Sequence, residues 1–179
     1  MIYMFLAEGF EEVEALCPLD IMRRAGLSVT TVGIGNKSIT GSHNITVSAD
    51  ISEEEFNDAD ADMIFLPGGM PGTLGLANSP TVKKAIENAV KRNVYIAAIC
   101  AAPSILGDMG LLNGKKAICY PGFEDRLTGA TLSDKRVIRD GKIITAAGMG
   151  GALDLGLEIV ALFCGKEKAT ALQKAVIYD

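Results

Sequence analysis

The chain has 179 residues, 49% of them hydrophobic, with 17 basic against 22 acidic side chains and a formal charge of −5. That is enough to bury a core without metal or disulfide staples and points to one domain over residues 1–179. The acidic balance and the lack of a basic cluster argue against a nucleic-acid or anionic-membrane partner, so a small neutral or electrophilic molecule is the expected ligand.

The first element is "IYMFLA", residues 2–7, a short apolar run with no basic segment before it, read as a strand and not as a signal peptide. No run reaches the roughly 18 apolar residues of a membrane span. A helix is expected from Glu11 to Ala25, ended by Gly26, and a strand from Leu27 to Ile34. "GNKSITGSHNITVSAD" carries two short alternating runs split by "TGSHN", the pattern of a hairpin appended to the sheet. Asp62 to Leu66 reads as a buried strand running into the glycine-rich "PGGMPG".

Ser79-Pro80 supplies an N-cap and a first-turn proline, and Val82, Ala85, Ile86 and Ala89 then share one helical face. Val94 to Ile99 is a nearly unbroken apolar run, as in a parallel strand buried on both faces, and Ala101-Ala102-Pro103 begins the next helix. "RVIRDGKIITAAG" is a hairpin by its Asp140-Gly141 turn, and two helices close the chain, one marked by Ala152, Leu155, Ile159, Val160 and Phe163, the other around Lys166 to Lys174. Strands alternating with helices imply an α/β fold, a mostly parallel central sheet covered on both faces. Ligands of such sheets sit at the carboxyl ends of the strands. "AEGFEEVE", "PGGMPG" and the turn at Cys100 are the loops in that position.

Cys100 stands where a strand turns into a helix, as the serine of a nucleophile elbow does. Unpaired N–H groups there favour an anion, which would lower the thiol's pKa and make it reactive. A cysteine in general is more often a small buried hydrophobe; the junction tips the reading toward a nucleophile. Cys17, Cys119 and Cys164 have no such setting. The four cysteines are widely spaced without a C-x-x-C pair, which suits free thiols in a reducing cytoplasm.

Glu14 shares a helical stripe with Cys17, Pro18 and Ile21, whereas Glu12 turns toward another face. A carboxyl on an apolar stripe is poorly solvated, its pKa rises, and it becomes a candidate general acid/base. The alternative is that Glu11, Glu12 and Glu14 only complement the helix dipole. Gly68 and Gly69 allow the backbone to approach a ligand, and the amides of Gly69 and Ala101 could hold an oxyanion, although a plain tight turn has the same letters. With His43 the one histidine, neither a metal site nor a Cys-His pair is expected. "GMGGALDLG" has Leu153 where a dinucleotide motif needs its last glycine.

"AEGFEEVEALCPLDIMRRAGL", "LPGGMPG", "AAICAAPSIL" and "GKEKA" together resemble the ThiJ/PfpI superfamily, in the branch of the parkinsonism-associated deglycase and its bacterial relatives. The resemblance spans essentially the whole chain. It implies a flavodoxin-like three-layer sandwich of the class I glutamine amidotransferase-like kind, a homodimer, and cofactor-free chemistry on dicarbonyls such as methylglyoxal or on glycated proteins. It matches the family's reactive cysteine to Cys100, its cysteine-bonded glutamate to Glu14, a loop glycine to Gly69 and a dimer-contact arginine to Arg24. Tyr120 stands where many members carry a histidine beside the nucleophile and is expected to border the substrate. A tyrosine is a poor base at neutral pH, which shifts proton transfer to Glu14. His43 replaces an arginine that some members place near the dimer contact. An oxidative-stress sensor or chaperone-like protein with an oxidisable cysteine is the alternative function, with an amidase or peptidase behind it.

Overall fold

The computed structural model describes residues 1–178. Its elements in chain order are β1 (Ile2–Leu6), α1 (Glu12–Arg24), β2 (Val29–Gly33), β3 (Ser38–Thr40), β4 (Thr46–Ser48), β5 (Ile51–Ser52), β6 (Met63–Leu66), α2 (Gly72–Asn78), α3 (Pro80–Lys91), β7 (Tyr95–Ile99), α4 (Pro103–Asp108), β8 (Lys116–Ala117), β9 (Thr131–Leu132), β10 (Val137–Asp140), β11 (Ile143–Ala146), α5 (Ala152–Cys164) and α6 (Lys166–Ala175).

Seven strands form the central sheet in the order β10-β11-β7-β6-β1-β2-β5. All pairings are parallel except β10 with β11, the hairpin expected at Asp140-Gly141. Without the two edge strands the order is the flavodoxin-like one, with the switch point between β1 and β6. The apolar runs are explained by two-sided burial. Ile2, Met4 and Leu6 of β1 face α1 and α5, while Tyr3 and Phe5 face the side carrying α2, α3 and α4.

Local chemistry sets the helix ends. Ser79 Oγ accepts the Val82 amide hydrogen at 3.2 Å, with Pro80 as the first helical residue. Glu11 caps α1, its Oε2 accepting the Glu14 amide hydrogen at 2.7 Å. Further along the helix, Pro18 and Ile21 pack on Gly156 of α5, which holds α1 against α5.

Two expectations are corrected. The β3–β4 hairpin forms its own two-stranded sheet and is not added to the central one. Ile39 is buried in the core, and the hairpin is tied to the loop after β1, Gly9 donating to the Thr40 carbonyl at 2.8 Å and Ser42 to that of Phe10 at 2.8 Å. The strand that does extend the sheet is the two-residue β5, paired with β2. Second, the helix after Cys100 has only six residues and begins at Pro103, three positions beyond the cysteine.

Candidate functional site

The site lies at the carboxyl ends of β1, β6, β7 and β11. Cys100 follows β7 at φ 65°, the left-handed region that non-glycine residues rarely occupy. Both its backbone groups are pinned: its N–H donates to the Ala146 carbonyl at 2.9 Å, and its carbonyl accepts from Tyr120 N–H at 2.8 Å. Strain of this kind costs about 1–3 kcal/mol and persists only where the surroundings hold it. The half-buried thiol is thereby aimed away from the strand.

Glu14, in the first turn of α1, is 1% exposed, and its Oε2 is buried without a hydrogen-bond partner. A Cβ added to Gly68 would stand 2.5 Å from Cys100 Cβ and closer still to Glu14 Oε2. The carboxyl and the thiol therefore meet across a bare glycine. Gly69, at φ 93°, turns the loop so tightly that a Cβ would collide with the Glu11 amide. Glu11 N–H donates to the Gly68 carbonyl at 2.9 Å, which locks the glycine loop to the start of α1 and sets the Glu14–Cys100 spacing.

Burial raises Glu14 to about 7, against the opposing pull of the Cys100 thiol and of the Gly68 and Met149 amides. None of these reaches full hydrogen-bond geometry at Oε2. Burial and the neighbouring Glu14 push Cys100 up to about 12, while the Ala101 and Gly69 amides pull it down. The lowering expected from a helix N-terminus is thus overturned for the thiol, because burial and then the nearby Glu14 carboxyl disfavour the thiolate while the helix is short and begins three residues away. The two groups titrate as a pair: the first proton lost comes mainly from the carboxyl, and the charge it leaves opposes ionisation of the thiol.

The expected Gly68, Gly69, Ala101, Glu14 and Cys100 are therefore together, and Tyr120 joins them. The point where a Gly148 Cβ would lie is 3.3 Å from the Tyr120 ring and 3.7 Å from Glu14 Oε1. Sequence reasoning missed the wall this glycine belongs to, residues 147–151 after β11. The same rule that selected the other loops, position at a strand's carboxyl end, would have found it. These residues and Tyr120 border an open groove of about 500 Å³.

Arg24 is exposed and paired with Asp20 at 2.6 Å, and His43 is an exposed hairpin residue. Glu12, on the other face of α1, is only 4% exposed. Its carboxylate accepts from His43 N–H at 2.7 Å and pairs with His43 Nδ1 at 2.9 Å. Burial opposes its ionisation, but these bonds win and hold it at about 2; the same pairing raises His43. Glu11, Glu12 and His43 place one possible ligand atom each within 4.8 Å of one another. They sit at a helix N-terminus, which disfavours a cation, and Glu12 already has its partners, so an ion pair accounts for the cluster.

A flavodoxin-like sheet with a cysteine on a strained strand-to-helix turn and a buried carboxyl beside it defines a class of α/β protein with a cysteine elbow. The chain belongs to the DJ-1/PfpI family, whose profile matches residues 1–162. The Parkinson disease protein 7 homolog of Danio rerio is 35% identical over 179 residues, covering 97% of this chain and 95% of that protein. The glutathione-independent glyoxalase DJR-1.2 of Caenorhabditis elegans is 30% identical, with 93% and 90% covered. Protein DJ-1 homolog B of Arabidopsis thaliana is 37% identical over 96% of this chain, which spans 40% of that longer protein. The crystal structure of Drosophila melanogaster DJ-1beta superposes with a TM-score of 0.95 at 31% identity, covering 99% and 97% of the two chains. Among the described residues no helix is long and apolar enough to cross a membrane.

Proposed function

We propose that this protein is a cysteine-dependent, cofactor-free stress-response enzyme acting on reactive dicarbonyls, either free 2-oxoaldehydes or their adducts on proteins. The observation that carries the reading is Cys100 held at φ 65° against a buried Glu14 whose Oε2 has no partner. The glyoxalase name of the Caenorhabditis elegans relative supports the same substrate class.

Transfer of the thiol proton to Glu14 leaves a thiolate facing the Gly69 and Ala101 amides. The sulfur adds to the aldehyde carbon of a 2-oxoaldehyde, forming a C–S bond and an oxyanion that those amides stabilise. Glu14 protonates the oxyanion, then takes the proton from the former aldehyde carbon and returns it to the adjacent carbon while the new hydroxyl's proton passes to the former ketone oxygen, giving the thioester of a 2-hydroxy acid. Water cleaves the C–S bond, releasing the 2-hydroxy acid and restoring the thiol. One water is consumed, and one carbon is oxidised as its neighbour is reduced, so no external electron carrier is required. Tyr120 borders the substrate without acting as base.

Lactate formation from methylglyoxal tests the scheme. Glu14→Gln should abolish turnover while the far-ultraviolet circular dichroism stays native; a Glu14→Gln protein as active as the parent ends the mechanism.

A second reading is favoured by the same pair. A half-buried thiol beside a carboxyl that can be protonated could stop at the sulfinic acid, Glu14 donating a hydrogen bond to the new anion. Peroxide should then add two oxygens at Cys100 in intact-mass spectra and none at that position in Cys100→Ser. An amidase or peptidase is disfavoured by Tyr120 in the place of a histidine. We also propose a cytoplasmic homodimer, with the exposed Arg24 and His43 near the contact; sedimentation of Arg24→Glu against the parent chain tests the pairing.

A further inference from the structure

Beside the Glu14–Cys100 pair, the groove bordered by Tyr120, Pro121, Arg136, Met149 and the glycines Gly148 and Gly151 has one charged side chain among the described residues, Arg136. The guanidinium is loosely engaged. Its Nη1 lies 3.7 Å from Asp154 Oδ2, Asp154 accepts at its other oxygen from the Tyr178 hydroxyl at 2.8 Å, Arg136 also reaches that hydroxyl, and its side chain is 72% exposed. A guanidinium has five N–H donors in a planar fork that matches a carboxylate, and these two partners leave donors over among the described residues.

The backbone fixes where this cation stands relative to the thiol. The Ala147 N–H donates to the Arg136 carbonyl at 3.0 Å. One residue, about 3.8 Å of chain, separates Ala147 from Gly148, the residue facing Glu14 Oε1 and the Tyr120 ring. The groove thus runs from Gly148 and Tyr120, which border the reactive pair, to Arg136, with a floor of glycine and methionine that adds no anion besides the arginine's own partner Asp154. A neutral three-carbon dicarbonyl would leave the arginine end empty.

We propose that the groove selects anionic substrates: 2-oxoaldehydes whose far end carries a carboxylate, held by Arg136 while the aldehyde meets Cys100. The inference rests on the dicarbonyl reading for its reacting end, and on the groove alone for its anionic end. Arg136 is a specificity-determining residue that leaves Asp154 for the substrate carboxylate.

Two measurements keep the two readings separable. In the first, kcat/KM is compared for 4,5-dioxopentanoate and methylglyoxal, which share the reacting group and differ in the carboxylate. The ratio of the two should fall by about tenfold or more in Arg136→Ala, the loss of a charge-assisted bidentate contact. The second needs no turnover: 4-oxopentanoate is titrated as a protectant of Cys100 against iodoacetamide. About tenfold more of it should be required in Arg136→Ala. A substrate ratio and a protection curve unchanged by Arg136→Ala, or no protection in the parent chain, overturn the proposal and leave the dicarbonyl chemistry standing. Arginine-dependent protection in a protein that turns over neither aldehyde supports the anion site and removes the enzymatic reading.

Discussion

Gly68→Ala isolates the contact on which the chemistry depends. Gly68 is not in the left-handed region, so alanine can adopt its backbone conformation and the perturbation is steric. The new methyl would stand 2.5 Å from Cys100 Cβ, 2.9 Å from the Ile99 carbonyl oxygen and nearer still to Glu14 Oε2. Carbon contacts settle near 3.5–4.0 Å, so the two side chains must separate by about 1 Å. Overpacking of this size costs about 1–3 kcal/mol, which for a chain of this length lowers Tm by roughly 2–12 °C. A misplacement of about 1 Å between reacting groups costs on the order of 100-fold in rate. Thermal melts and lactate formation measured together should show a folded protein with turnover down about 100-fold. Melting lowered as expected with turnover and thiol reactivity at parental levels would refute the reasoning, because Glu14 and Cys100 would then not need their present spacing.

Other outcomes follow from the titrating groups and from the strained turn. The rate of Cys100 alkylation should rise only well above roughly pH 8, because burial and the ionised Glu14 both hold the thiol up, and Glu14→Gln should move that rise to lower pH by removing the opposing charge; an unchanged midpoint in the variant would break the coupling. Glu12 has a folded pKa below its unfolded value, so its contribution to stability is complete above the ordinary carboxylate range and is lost as pH falls from about 4.5 toward 2. Urea unfolding should show Glu12→Gln less stable by roughly 1–3 kcal/mol at pH 6, with the difference gone near pH 2; equal stability at pH 6 would mean the hairpin tether is idle. Tyr120→Phe should keep kcat for methylglyoxal within about threefold, because the proposed scheme gives proton transfer to Glu14 and leaves the ring only a bordering role, and a loss of about 100-fold would assign the hydroxyl a role in proton transfer.

Two-sided burial made the central strands legible: Val94–Ile99 and Met63–Leu66 are apolar without a period, as buried parallel strands are. Ser79-Pro80 marked the start of α3, and the stripe through Glu14, Cys17, Pro18 and Ile21 marked Glu14 as poorly solvated, which its burial bears out. What stayed hidden depends on partners distant in the chain. The two-residue strands β5, β8 and β9 have no pattern to read, and Glu12 looks like a solvated cap until residues 41–45 fold over it. The thiol's electrostatics were hidden for the same reason. The junction after β7 is visible in sequence, but the carboxyl that opposes the thiolate comes from a helix 86 positions earlier, and its distance is set by Gly68 and Gly69.

The strained φ of Cys100 offers an independent way to ask whether the turn is shaped for reactivity or for packing. A left-handed backbone costs an L-residue about 1–2 kcal/mol that glycine avoids. If the turn served packing, a glycine at this position would satisfy the same two backbone bonds to Ala146 and Tyr120 with less strain. Cys100→Gly and Cys100→Ala both remove the sulfur, and the glycine variant should be the more stable by about 1 kcal/mol. That ordering would mean the chain keeps a strained side chain where a relaxed one would fold better, the mark of a position held for chemistry. Equal stabilities, or alanine above glycine in urea unfolding, would show that packing of the β-carbon against the Gly68 loop compensates for the strain, and the left-handed turn would then carry no argument for function.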